Sequence, residues 1–230
     1  MTGGLLKLMQ IADSALPVGS FAYSNGLEWM VKTDLLSTFS QFRSYLEGLV
    51  RQFTNFEFAF INSFCSNDSD SLTALRVYDS TIPVPEMYKA SLTTGKSWLR
   101  ILPGLFPAKC HMEECSRLGD EIQGYLALNG VRPHFLYVFA KSLSGLGFSR
   151  NWIKLLYAYM AVRDQMSAAI RLGSLGPNQA QQIQSEILAL AEEIISSAPE
   201  LEYVEAYKTT VLPDLAQGGH SGLYSKLFQT

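Results

Sequence analysis

Between Thr38 and Phe64, bulky apolar residues recur at alternating spacings of three and four: Phe39, Phe42, Leu46, Leu49, Phe53, Phe56 and Phe60. That 3.5-residue period puts all seven on one face of a helix. Thr38, with Gln41 three residues later, forms a capping box that starts it. Gln41, Ser44, Glu47, Arg51, Asn55 and Glu57 mostly occupy the other faces. The stretch therefore predicts one long helix ending at Phe64. Charges at the flanking positions are few over only three heptads, which favours a central pillar of a bundle over a coiled-coil dimer.

Other segments repeat this logic. Pro85 suits the first position of a helix that Pro103 ends. Cys115, Leu118, Ile122 and Tyr125 form a stripe closed by Asn129-Gly130. Ser149 caps a helix running through Trp152, Leu156, Met160, Met166 and Ile170, which Gly173 to Pro177 breaks. Ile183, Ile187, Leu190 and Ile194 build the next, stopping before Pro199. No alternating β-branched run flanked by turn residues competes. Short connections between such segments suit a compact helical bundle. The reading is all-α, one domain over residues 1–230, with two ends of different character: about 1–30 and about 212–230.

Composition limits what such a bundle does. Charged residues make up 17% of the chain, where about 25% is usual. Lys and Arg total 18 against 21 Asp and Glu, a net charge of −3. That balance offers no basic footprint for nucleic acid. A folded chain so short of charge is expected to bury surface against partners. Three cysteines without a CxxC pairing read as reduced thiols, and the first ten residues lack a leader pattern. No apolar window approaches the roughly 18 residues a membrane span needs. A cytoplasmic protein that meets neither membrane nor nucleic acid is the expectation.

Catalytic motifs are present in outline only. Ala90 to Ser97 fits a relaxed phosphate-loop pattern, but Pro83 and Pro85 exclude the buried strand that must deliver such a loop. A helix face of small residues that admits a close neighbour is the plainer reading. Ala22-Tyr23-Ser24-Asn25-Gly26 imitates a nucleophile elbow, with Asp214 and His220 following in hydrolase order, yet no strands precede it. For metals, His111 and Cys115 would share a helix face, with His220 as a further weak candidate; two such ligands make no structural site. Nothing points to a stably bound cofactor. An all-α enzyme or ligand-binding protein with a buried small-molecule pocket is the alternative to an interaction protein.

The two ends carry the functional signal. Leu8-Met9-Gln10-Ile11-Ala12-Asp13-Ser14-Ala15-Leu16-Pro17-Val18-Gly19-Ser20-Phe21-Ala22-Tyr23-Ser24-Asn25-Gly26-Leu27-Glu28 resembles the N-terminal signature of the UreF family of urease accessory proteins. Ser167 to Gly176 is similar to that family's alanine-rich segment, and Pro213 to His220 with Ser225 to Gln229 resembles its closing motif. Gly95-Lys96-Ser97 falls where the family usually has Gly-Arg. Lys226 stands in place of an arginine, and a lysine offers a point charge where arginine offers a fork.

The resemblance implies an all-helical, non-enzymatic scaffold. It would bind a UreD/UreH-type accessory protein through its ends, form a homodimer, present a surface to the GTPase UreG, and dock on apo-urease. Nickel would be handled by that complex, with the GTPase modulated in passing. The partner-facing residues expected on this basis are Phe21, Tyr23, Ser24 and Glu28 at the start, and Leu223, Tyr224, Lys226, Leu227 and Phe228 at the end. Tyr23 suits an anchor, since tyrosine joins buried area to a polar tip; pinning of the loop by Phe21 and Tyr23 to their own core is the other reading. Docking of the tail on its own domain likewise stays open. Arg171 is expected at a dimer or GTPase contact, or else satisfying the last carbonyls of its own helix.

Overall fold

The long phenylalanine-rich helix breaks once, and that break shapes the interior. The computed structural model describes residues 2–66, 70–106 and 109–229, without the side chains of residues 2, 3 and 109–112. In chain order, α1 is Thr2–Ile11, α2 Leu27–Lys32, α3 Phe39–Asn55, α4 Glu57–Phe64, α5 Asp70–Ser80 and α6 Pro85–Ile101. Then come α7 Lys109–Leu128, α8 Phe135–Gly145, α9 Arg150–Arg171, α10 Pro177–Ser197 and α11 Leu212–His220. Among the described residues there is no strand, and the fold is an all-α single domain.

The start of α3 is as its sequence demands. Thr38 Oγ1 accepts the Gln41 N–H at 3.4 Å, and Gln41 Oε1 accepts the Thr38 N–H at 3.0 Å. Phe42, Leu46, Leu49, Phe53, Phe56 and Phe60 are all buried. The helix does not run through to Phe64, however. Phe56 leaves helical geometry (φ −122°, ψ −75°), and the Asn55 carbonyl accepts the Tyr207 N–H at 3.0 Å. A backbone donor from far along the chain takes an acceptor the helix would have used, one of the recognised causes of a sharp kink. Glu57 thereby becomes the first residue of α4 and points inward.

The centre is α8 and α9. Helix α8 is apolar nearly all round, with Leu136, Tyr137, Val138, Phe139 and Ala140 all buried, so it has neighbours on several sides. It packs on α4, α6, α7 and α9. Ser149 caps α9 by accepting the Trp152 N–H at 3.4 Å, and α9 turns at Gly173 (φ +71°) into α10, which also covers α3. Helix α6 crosses α8 so tightly that a Cβ on Gly95 would lie 1.9 Å from the Pro133 carbonyl oxygen. Trp98 Nε1 donates to Ser142 Oγ at 2.8 Å across that crossing, both side chains wholly enclosed.

A second polar tie joins α5, α6 and α8. Buried His134 sits 2.7 Å from Asp79 Oδ1 through Nε2 and 3.0 Å from Ser91 Oγ through Nδ1. Ser91 Oγ also accepts the Phe135 N–H (3.3 Å) at the start of α8. Burial lowers the pKa of His134 and favours its neutral form, although Asp79 pulls the other way. Edge-to-face pairs among Phe56, Phe60, Phe64, Tyr78 and Tyr137 fill the space around it. Each such pair adds about 0.5–1.5 kcal/mol beyond simple burial.

Candidate functional site

The two ends of the chain meet. Gly19 (φ +83°) opens a short 3₁₀ turn at Ser20–Ala22, and Asn25 (φ 50°) with Gly26 (φ +87°) starts α2. Two successive left-handed residues fit Asn and Gly best, because other side chains crowd the backbone there. Gly26 is constrained twice, since a Cβ would lie 2.7 Å from Ala216 Cβ and 2.9 Å from the Gln217 nitrogen. A Cβ on Gly219 would likewise lie 2.5 Å from the Trp29 ring. These glycines let α11 lie directly across α2. Despite Gly218 and Gly219, the chain is helical to His220 with Pro213 in the first turn, because close packing on α2 outweighs the low helix propensity of glycine.

Glu28 is the centre of this junction and is wholly buried. Its Oε1 receives the Leu227 N–H at 2.7 Å and lies 2.8 Å from Lys32 Nζ. Its Oε2 receives the Phe228 N–H at 3.1 Å and lies 2.9 Å from His220 Nε2. Ser24 Oγ accepts the N–H of Glu28 itself at 3.2 Å. Burial resists ionisation here, but the donors Lys32, Leu227, His220 and Phe228 outweigh it and bring the carboxyl down to about 2. A carboxylate with several donors behaves this way. Lys32 also donates to the Ser225 carbonyl at 2.6 Å, and the Gln229 N–H donates to the Ala22 carbonyl at 2.8 Å.

Arg171 completes the closure. Its guanidinium donates to the Phe21 carbonyl at 2.7 Å and lies 4.2 Å from the centre of the Phe228 ring. A cation over an aromatic face contributes about 0.5–2 kcal/mol. So Arg171, although exposed, is not spent on its own last carbonyls; it ties the N-terminal loop to the tail.

Three residues expected to face a partner are therefore placed otherwise. Ser24, Glu28 and Phe228 are interior, since the tail docks on its own chain and uses them to do so. Phe21, Tyr224 and Leu227 remain exposed on the outside of the junction, Tyr224 completely so. Tyr23 and Leu223 are half-buried, and Lys226 is exposed with its ammonium on the Ser221 carbonyl at 3.0 Å. On α1, Leu5, Leu6 and Met9 are exposed as well.

The catalytic imitations are not assembled. His220 pairs with Glu28 and Asp214 with Lys208 (2.5 Å), so Ser24, Asp214 and His220 make no relay. Ala90 to Ser97 lies inside uninterrupted α6, with Gly95 used for the close crossing of α8. Cys115 is fully buried and burial pushes its thiol up, which leaves it protonated and inert. The His111 side chain lies outside the described residues. Among those described, no group of three or more His, Cys, Asp or Glu is placed to hold a metal ion, and no helix is long and apolar enough to cross a membrane.

Two contributors went unnoticed in the sequence. Lys32 stands four residues after Glu28, a spacing that pairs charges on a helix, and it was legible as such. Glu57 was assigned to a polar face, yet it sits between Phe56 and Phe58 and is turned inward by the break. An acid flanked by two phenylalanines was the available signal.

Comparison with known proteins agrees with the two-ended signature. The family model described as UreF matches residues 37–188, the greater part of the chain between the ends. The chain is 28% identical to the Urease accessory protein F of Oryza sativa subsp. indica over 225 residues, covering 96% of this chain and 83% of that one. Against Urease accessory protein F of Arabidopsis thaliana it is 28% identical over 221 residues, covering 95% and 90%. Against Urease accessory protein UreF of Trichodesmium erythraeum (strain IMS101) the identity is 29% over 228 residues, covering 97% and 95%. With the middle of the chain matched by the family and both ends spanned by these relatives, this protein belongs to the UreF family.

Proposed function

We propose that this chain is a non-catalytic urease accessory protein that holds a UreD/UreH-type protein and a UreG-type GTPase together on apo-urease while nickel is delivered. It acts as a homodimer in the cytoplasm and keeps no cofactor of its own, the metal being cargo of the complex. The relatives named as urease accessory proteins support the class. The observation that carries the scaffold reading is the junction itself. The family's N-terminal and C-terminal signatures are spent on one another at Glu28, and the apolar groups they leave outside include Met9, Phe21, Leu215 and Leu227, with Tyr224 beside them. Exposed aromatic and aliphatic side chains on a rigid base are what a partner interface uses. On this reading the scaffold modulates the GTPase by setting its orientation.

The test is size-exclusion chromatography with in-line mass measurement. This chain is mixed with UreD/UreH-type and UreG-type proteins, with and without GTP and Ni²⁺. A stoichiometric assembly containing two copies of the chain is expected. A chain that elutes alone under all conditions, or one that turns over a metabolite unaided, overturns the reading.

A further inference from the structure

A cavity of about 230 Å³ opens where the pillar breaks, walled by α3, α4, α5, α6, α8, α9 and α11. Tyr45, Phe53, Tyr78 and Tyr157 form aromatic wall around it. Two acceptors on this wall, Glu57 Oε2 and Gln165 Oε1, are buried and have no hydrogen-bond partner. The orientation of Gln165 follows from its surroundings, because its Nε2 donates to the Ser24 carbonyl at 2.9 Å and leaves the oxygen over. Gln165 itself is only 2% exposed. Among the other polar groups at the cavity, Gln52 Oε1 accepts the Thr210 N–H at 3.1 Å, Lys208 pairs with Asp214, and Asp164 pairs with Arg163 at 2.6 Å.

Orphaned acceptors in a native interior call for an explanation, and a missing ligand is one. The chemistry of that ligand is narrow. An apolar molecule would leave both oxygens dry, at the cost of their hydration. An anion would meet Glu57, Asp164 and Asp214 against the single cation Lys208. A metal ion lacks a ligand set, since no cluster of three His, Cys, Asp or Glu stands here among the described residues. What remains complementary is a molecule rich in N–H donors, positively charged, with faces that suit aromatic rings. Liquid water occupies about 30 Å³ per molecule, so the space takes a ligand of roughly four to eight heavy atoms.

We propose that this cavity binds a small organic cation, an ammonium or amidinium, whose N–H groups pair with Glu57 Oε2 and Gln165 Oε1 within the aromatic wall. This goes beyond the scaffold role and does not depend on it. Burial pushes the Glu57 carboxyl up to about 7, with Asp214 adding to the effect, while its own backbone N–H and Lys208 oppose it. Burial, and then the Glu57 charge, also raise the phenols of Tyr78 and Tyr157, which keeps both neutral. Tyr45 on α3, Tyr78 on α5, Tyr157 and Asp164 on α9, and Lys208 and Asp214 before and within α11 are ionisable groups that share the cavity wall with Glu57. Glu57 changes charge near neutrality, so cation binding should tighten as pH rises through about 7.

Met87 and Met160 line the same cavity and give the readout. Methyl-¹³C-methionine protein is titrated with acetamidinium chloride and methylammonium chloride, and separately with sodium acetate, benzene and sodium chloride. Saturable shifts of both methyl signals with acetamidinium are expected, at least tenfold weaker in Glu57→Gln and at least tenfold weaker at pH 5.5 than at pH 8. The wild-type pH series keeps the test valid should the variant fold poorly. Benzene or acetate binding in place of the cations overturns the proposal. So does an unchanged affinity in Glu57→Gln, or the absence of any saturable shift, which would mark the cavity as filled by water alone.

Discussion

Glu28 and Glu57 are both enclosed carboxylates, and their surroundings drive them in opposite directions. Glu28, with four donors, falls from an ordinary value of 4.5 to about 2, whereas Glu57, with an orphaned oxygen, rises from 4.5 to about 7. A group more acidic in the folded state adds stability that is present above 4.5 and lost as pH falls towards 2. A carboxyl less acidic when folded does the reverse: the folded state holds the proton more tightly, so stability declines as pH rises from 4.5 to about 7 and then levels off. Glu28→Gln should therefore cost about 2–3 kcal/mol at pH 7, with Lys32 partly screened by solvent, and the cost should shrink below pH 4. Glu57→Gln, with no ligand added, should match wild type near pH 4.5 and exceed it by about 2–3 kcal/mol at pH 8. Urea unfolding of the three proteins at pH 3.5, 4.5, 7 and 8 measures both effects. Parallel pH profiles for wild type and either variant would contradict the assignment for that residue.

At the scale of elements, capping and periodicity made α3, α6, α7, α9 and α10 legible, because those signals are local. The break at Phe56 was not, since a donor on Tyr207 makes it and nothing near Phe56 announces it. Helices α5 and α8 also escaped notice, α8 because a helix buried on several sides has no polar face to mark its period. The glycine at position 95 was legible in kind, as a small residue admitting a neighbour, although the neighbour was not. That reading makes a sharp contrast between adjacent positions. Gly95→Ala forces a methyl into the Pro133 carbonyl and should cost about 3 kcal/mol or prevent folding. Lys96→Ala, on the exposed side of α6, should change stability by less than about 0.5 kcal/mol. Thermal melts followed by circular dichroism separate the two. Equal effects at both positions would mean that the α6–α8 crossing is looser than the structure has it.

For the whole molecule, the family resemblance carried by the ends was legible in their residues, and docking of the tail on its own domain stood open; the pairing of the two ends at Glu28 was not legible. Glu28 meets His220 and Phe228 across 192 and 200 residues of sequence, and no local pattern encodes a pairing at that range. This changes what a tail deletion can test. Removing residues 213–230 takes away buried Pro213, Ala216, His220 and Phe228 and uncovers Glu28, so lost partner binding would follow from damage as readily as from a lost interface. Tyr224→Ala with Leu227→Ala is the cleaner probe, because both side chains are exposed while the Leu227 N–H still reaches Glu28. That double variant should melt within about 1–2 °C of wild type, as surface changes usually do. Its affinity for the UreD/UreH-type protein should fall at least tenfold if these residues are anchors, an effect of about 1.4 kcal/mol or more. Truncation after Ser221 should lower the melting temperature by several degrees as well, since it also strips three donors, the N–H groups of Leu227, Phe228 and Gln229, and an aromatic ring from the junction. Undiminished binding by the double variant would shift the partner surface away from the tail, to the exposed face of α1 that carries Leu5, Leu6 and Met9.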